Sequence, residues 1–311
     1  MSESASSPGI DPPSSTLSAR LRELADYLAA PAAGRLTEEQ RALSLGIARR
    51  LVFDVAARID VGIDPDALWA EWLRGGLPCA ERLAGLCFAR AEEHRWREQS
   101  TQRSSAPPIV SEADEATADK PVVGAPLSEV DRAYLALQIA DRRRFDAWGN
   151  PGIAVADVDA EIFRALVLDI AAWRLPGVSK DQTRAARLGE AVRVALERQG
   201  EEPGIARAGT DYYEILGAAA FDAAANAIAR HNWPVLIALA AAVHQRTYDD
   251  MALALLTAES AALPSMLAPL RLDRTALAPL EASLAMLPAR AVADGSGEDH
   301  GGLATPGQDT R

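Results

Sequence analysis

The sequence predicts an all-α protein, an array of antiparallel helical hairpins of the HEAT-like or irregular solenoid kind, with no sheet. Three observations carry this. Apolar residues make up 49% of the 311-residue chain but aromatics only 5%, and Ala and Leu stand where a large sheet would use Val, Ile and Phe. Apolar positions recur near every 3.6 residues through most of the chain. The connections between periodic stretches are short, which makes successive helices antiparallel neighbours.

Taken in order, residues 1–16 are rich in Ser and Pro and read as a disordered tail, as do 289–311 at the other end. Residues 17–99 form an N-terminal helical subdomain. Leu17, Leu21, Leu24 and Leu28 share a helix face, and a second helix opens at Thr37, where a Thr-x-x-Gln box with Gln40 is worth about 1 kcal/mol. That helix carries Leu43, Ile47, Leu51, Val55 and Ile59 at i, i+4 spacing, with Arg49, Arg50 and Arg58 off the stripe. Asp64 followed by Pro65 is a cap with proline at the first helical position, and Gly75 and Gly76 end that short helix. A fourth helix, from about Cys79 to Gln99, carries Leu83, Leu86 and Cys87 and then fades into AEEHRWRE, which reads as a solvated end.

Residues 100–126 lose the period and gain Ser, Pro, Glu and Asp, so they read as an extended acidic linker. Residues 127–288 form a second helical domain. Ser128 with Asp131 caps a helix through Tyr134 and Leu137 up to Arg142, Arg143 and Arg144. Asn150, Pro151 and Gly152 turn the chain, since proline cannot continue a helix and glycine accepts positive φ. Asp157 caps the next helix, which Pro176 and Gly177 end. Ser179 with Gln182 opens another, and Asp211 to Arg230 reads as one Ala-rich helix. Asn232 caps a helix with Pro234 in its first turn, Thr247 with Asp250 starts one more, and the last runs from about Asp273 to Leu287.

The segments LPCAERLAGLCFARAEEHRW and LSEVDRAYLALQIADRRRFD run parallel, a hint of duplicated hairpins. QIADRRRFDAWGNP, followed by an acid-capped helix and Trp173, resembles an alphaproteobacterial helical family known as domain of unknown function 2336. LTEEQRALSLGIARRLVFDVAARI, AIARHNWPVLIALAAAVHQRTYDDMALALL and LRLDRTALAPL are similar to that family's flanking segments, so the likeness spans most of Leu36 to Leu287. The resemblance implies HEAT-like packing and no established activity. Where the family carries a histidine pair this chain has Ile162 and Phe163, so no role resting on those histidines transfers.

Charge and motif content narrow the function classes. A net charge of −12 repels a phosphate backbone, which disfavours nucleic acid as a partner. No apolar run reaches membrane-spanning length, and the N-terminus has neither a basic start nor an apolar core of a secretory signal. Only two cysteines occur, Cys79 and Cys87, placed on one helix where they cannot pair and read as core fillers in a cytosolic chain. His94, His231, His244 and His300 lack metal-ligand spacing, so no metal or cofactor is expected. Nucleotide-binding and serine-hydrolase signatures are absent, and Asp249 and Asp250 fall on different helix faces, so no catalytic residue is assigned.

Two readings attach to the arginine corner. Three cations in a helix's last turn complement its dipole and pair with Asp141, Asp146 or Glu161. Alternatively Arg142, Arg143, Arg144 and Trp148 form a partner-binding surface, although burial statistics make Trp148 a plug beneath the turn. The expected function is a cytoplasmic scaffold or adaptor that binds an unidentified protein. The alternatives are phosphotransfer at His94, read as a solvated surface histidine, and an enzyme with a pocket between helical layers.

Overall fold

The computed structural model describes residues 36–60, 62–78, 80–104, 126–288 and 290. The N-terminal tail, the C-terminal tail apart from Arg290, the helix expected at 17–30, Cys79 and most of the expected linker lie outside them. The chain divides into two compact units, Met1–Thr37 and Glu38–Arg311, and every element below belongs to the second. Among the described residues the fold is all-α with no strand; one isolated bridge joins Phe145 to Pro151. No helix among them is long and apolar enough to cross a membrane.

The order is α1 (Glu38–Ile59), α2 (Pro65–Gly75), α3 (Ala80–Ser104), α4 (Glu129–Arg142), α5 (Ala160–Val178), α6 (Gln182–Arg198), α7 (Ile205–Leu216), α8 (Ala220–Ala229), α9 (Trp233–His244), α10 (Tyr248–Thr257), the single turn α11 (Leu263–Met266) and α12 (Arg274–Ala285). Caps at Asp64, Ser128, Thr247 and Asp273 each accept backbone N–H groups of the first turn that no helix can satisfy internally. Several boundaries differ from those the sequence predicts. The caps of α5 and α6 are Asp159 and Asp181, because Asp157 and Ser179 are turned to other partners. α5 also runs through Pro176: the proline forfeits only its own donor, and Ser179 N still reaches Leu175 O at 2.8 Å. The stretch expected as one helix from Asp211 to Arg230 is two, broken where Gly217 takes φ +52° and opens a 3₁₀ turn.

Two apolar clusters form, and α3 belongs to both. Its first half puts Leu83, Cys87 and Ala91 among α1, α2, α5 and Leu188 of α6. Farther along, Trp96 joins α4, α7, α9, α10 and α12. Both clusters take side chains from before residue 105 and after residue 125, so the described helices on the two sides of the expected linker share their cores. Helix α9 is buried from Trp233 to Ala241, as expected for a helix apolar on every face. Trp96 and Trp233 stack with centroids 4.4 Å apart. Their indole N–H groups donate to Ser283 and Ser100 at 2.8 and 2.7 Å. Ser100, expected in a solvated linker, is therefore a core residue: α3 continues past it, and its hydroxyl satisfies a buried Trp donor.

Helices α7 and α9 approach closely at Gly209, where an added Cβ would stand 2.8 Å from the Ala238 Cβ. Alanine there gains about 1 kcal/mol of helix propensity but overpacks the contact by about 1–3 kcal/mol. We expect Gly209→Ala to destabilise the fold. Gly189→Ala, on an open face of α6, should do the opposite. Urea midpoints of the two variants check the contrast, and a stabilised Gly209→Ala would refute the tight approach.

Candidate interaction site: a braced turn over a buried ionic cluster

Between α4 and α5 the chain makes a tight loop. Asp146 N donates to Asn150 O at 3.0 Å, and Gly152 N to Arg144 O at 2.8 Å. The Asp146 carboxylate accepts from Trp148 N, Asn150 N and the Asn150 side-chain amide at 2.8–2.9 Å. Burial pulls its pKa upward, but the Asn150 and Trp148 donors and Arg50 outweigh that and hold the carboxyl below its usual range. The positive φ falls on Gly149, at +85°, not on Gly152.

Arginines brace this loop from beneath. Arg90 donates from Nε to Gly152 O and from Nη2 to Arg144 O, both at 3.0 Å. Arg50 Nε reaches Pro151 O at 2.7 Å. The guanidiniums of Arg90 and Arg97 lie over the Phe145 ring, 4.6 and 4.9 Å from its centroid. The Trp148 side chain, expected as a plug, projects from the loop with 87% of its surface exposed. The space beneath the turn is already filled by Phe145 and the arginine stems.

The three arginines of the corner separate. Arg142 and Arg143 are exposed, and Arg143 pairs with Glu202 at 3.3 Å. Arg144 is only 2% exposed, so its expected place on a partner surface is corrected: it is the centre of a buried network. It grips Glu93 with two nitrogens at 3.1 and 2.8 Å and reaches Asp249 Oδ1 at 3.4 Å. Asp141 and Asp157 stand 3.8 and 3.9 Å away, and the Tyr248 ring lies 4.5 Å beneath the guanidinium. Tyr248 donates its hydroxyl to Glu93 at 2.9 Å. Arg97 holds Asp141 in a fork at 2.7 and 2.9 Å. Asp157 spends its other oxygen on Ile205 N at 2.6 Å, capping α7.

Sequence reasoning placed AEEHRWRE in solvent, yet Arg90, Glu93 and Trp96 are fully buried and His94 is 9% exposed. The reason is the partner set: every charge that α3 turns inward meets one of opposite sign. Burial pulls Glu93 upward, but Arg144, Arg90 and Arg97 bring it down to about 2. Desolvation, helped by the charge of Arg144, lowers Arg90 to about 10. Asp249, at the mouth of the cluster with 19% of its side chain exposed, is pushed up to about 7 by desolvation, with Arg144 opposing and Glu93 and Asp157 adding to it. The His94 ring packs edge-on to Phe145 and faces Glu98 at 3.3 Å, so it is no solvated surface histidine. Cys87 is a buried core filler as expected, its thiol raised to about 12 by burial.

A cleft of about 530 Å³ is lined by Asp54, Glu201 and Glu202 together with Arg58, Arg143 and Arg198. Among the described residues no group of His, Cys, Asp and Glu could hold a metal ion. The chemistry present is charge pairing and aromatic display. Comparison with family models, with curated proteins and with solved structures returned no match.

Proposed function

We propose that the protein is a helical interaction module, a scaffold or adaptor, whose protein partner docks over the loop carrying Trp148. One observation carries the reading: an indole with 87% of its surface exposed stands on a loop pinned by three donors to the Asp146 carboxylate. Exposing so large an apolar group costs solubility, and Trp is among the residues most enriched in interface hot spots. A loop fixed beforehand by Arg50 and Arg90 loses little entropy on docking, so more of the contact energy appears as affinity. Arg142 and Arg143 flank it and can join the contact. A cytosolic location belongs to the same proposal and rests on the scarcity of cysteine and the charge-rich composition.

The test is capture of partners from the native host by the full chain and by Trp148→Ala. A side chain this exposed should leave the melting temperature within about 1 °C, while capture of a specific partner should fall by about tenfold or more. An unchanged set of captured proteins with the variant would retire the reading.

A further inference from the structure

We infer that the ionic cluster under the Trp148 loop is a proton-operated catch, which braces the loop while one of its acids is protonated and slackens it when that proton leaves. The inference adds a regulation to the interaction site proposed above and rests on that reading. Two observations carry it. The first is a charge count: the network joins three cations, Arg90, Arg97 and Arg144, to four acids, Glu93, Asp141, Asp157 and Asp249. Four ionised carboxylates would leave one buried negative charge without a counterion, so the cluster retains a proton. Glu93 and Asp141 are each gripped by two nitrogens of one guanidinium, which leaves Asp157 and Asp249 to hold it. Burial raises both carboxyls. Of the two, Asp249 is the one open to solvent, with 19% of its side chain exposed against 4% for Asp157, so the proton exchanges there.

The second observation is a pair of buried polar atoms in this same network that make no hydrogen bond, Arg90 Nη1 and Asp157 Oδ2. Such atoms are rare in native structures and call for a reason. For Arg90 the reason is a second arrangement. Arg144 Nη2 donates to Glu93 Oε2 at 2.8 Å and also lies 3.4 Å from Asp249 Oδ1, so one donor stands between two acids. While Asp249 is protonated, Glu93 keeps it. Once Asp249 ionises, it competes for that nitrogen, and Glu93 Oε2 has a replacement 3.5 Å away in Arg90 Nη1. Arg90 is also the brace of the loop, through Nε on Gly152 O and Nη2 on Arg144 O. A guanidinium is planar and rigid, so turning Nη1 onto Glu93 carries the other two nitrogens off those carbonyls. The loop therefore loosens as pH rises. The charges acting on Asp249 are Arg90 and Glu93 from α3, Arg144 past the end of α4 and Asp157 before α5, and the Cys87 thiol of α3 lies in its field. Helix α9, also packed on α10, offers only His244, which is bonded to Met266 O at 2.7 Å. Tyr248, next to Asp249, gives its hydroxyl to Glu93, and His94 lies in the field of Arg90, Arg97 and Glu93.

Hydrogen exchange of the Asp146 and Gly152 amides, which close the loop onto Asn150 O and Arg144 O, reads the catch in the full chain. With exchange times scaled for the intrinsic pH dependence, their protection in the wild type should fall about tenfold from pH 6 to pH 8, the change in occupancy of one proton site centred near 7. Asp249→Asn cannot ionise, and its loop protection should stay level. Amides of the buried helix α9 are the reference for global loosening. Carboxyl-carbon NMR of the wild type needs no variant and should show one carboxyl of the cluster titrating near neutrality. Flat loop protection in the wild type, an equal fall in Asp249→Asn or in the α9 amides, or no carboxyl titrating in that interval overturns the inference. Capture of a Trp148-dependent partner should weaken over the same interval in the wild type and not in Asp249→Asn. If capture depends on Trp148 while loop protection is flat, the catch falls and the module stands. If capture does not depend on Trp148, the module reading falls, and with it the regulation inferred here, even where loop protection follows pH.

Discussion

Replacing Arg144 with Met should lower the unfolding free energy by about 3–5 kcal/mol, the range seen when one member of a buried ion network is removed. Methionine keeps much of the side chain's bulk, so the loss isolates the charge. Glu93, fully buried, would keep only Arg90 and Arg97 at 3.5 Å and the Tyr248 hydroxyl, while Asp249 and Asp157 would lose their common cation. Arg144→Lys should also destabilise, because one ammonium cannot span both Glu93 oxygens and reach Asp249. Arg143→Met is the control: its pairing with Glu202 is exposed on both sides, and such pairs are worth about 0–1 kcal/mol. Urea unfolding of the three variants measures this, and an Arg144→Met variant as stable as Arg143→Met would mean that the network contributes nothing net. The outcome also bears on the loop. Arg90 is held between Glu93 and the carbonyls of Arg144 and Gly152, so loss of Arg144 should loosen the platform that displays Trp148.

The contrast between Arg143 and Arg144 shows where the sequence was legible and where it was not. Helical periodicity and the capping residues Asp64, Ser128 and Thr247 located most elements, because those signals are local and each satisfies backbone donors within one turn. They could not say which of three consecutive arginines turns inward, since that depends on what α3 and α10 bring to the same place, 51 and 105 residues away in sequence. A usable signal was present in α3. Arg90, Glu93 and Arg97 continue the spacing of Leu83, Cys87 and the helix's other inward positions, so the charges lie in register with the apolar stripe. Charged residues on a stripe's own face imply charges waiting opposite them. Reading AEEHRWRE by composition discarded that register. Trp148 failed in the reverse direction: burial statistics describe an average indole and take no account of a turn whose interior Phe145 already fills.

The second large effect expected is on pH dependence, and it centres on Asp249. Its folded pKa of about 7 lies above the ordinary 3.8, so the folded protein holds a proton there that the unfolded chain releases. Stability from this group is fully present below about pH 4 and is lost as pH rises through 7. The largest effect such a displacement allows is about 4 kcal/mol; with the side chain 19% exposed, about 2 kcal/mol is the expected size. Asp157, also raised by burial, acts in the same direction. Glu93 acts in the opposite one: held at about 2, it contributes stability above its unfolded pKa that is lost as pH falls through 2. His94, lowered chiefly by burial, opposes Asp249, because protonation of the unfolded chain's imidazole costs stability as pH falls below about 6.5. The charges acting on Asp249 are Arg90 and Glu93 from α3, Arg144 just past the end of α4 and Asp157 before α5. Since several groups share the window, the decisive quantity is the difference between wild type and Asp249→Asn. Asparagine cannot ionise, and it fills nearly the same space. Urea unfolding at pH 5 and pH 8 should show wild type losing about 2 kcal/mol relative to the variant across that interval. A difference that does not change with pH would mean that Asp249 is ionised throughout and that Arg144, not desolvation, governs it.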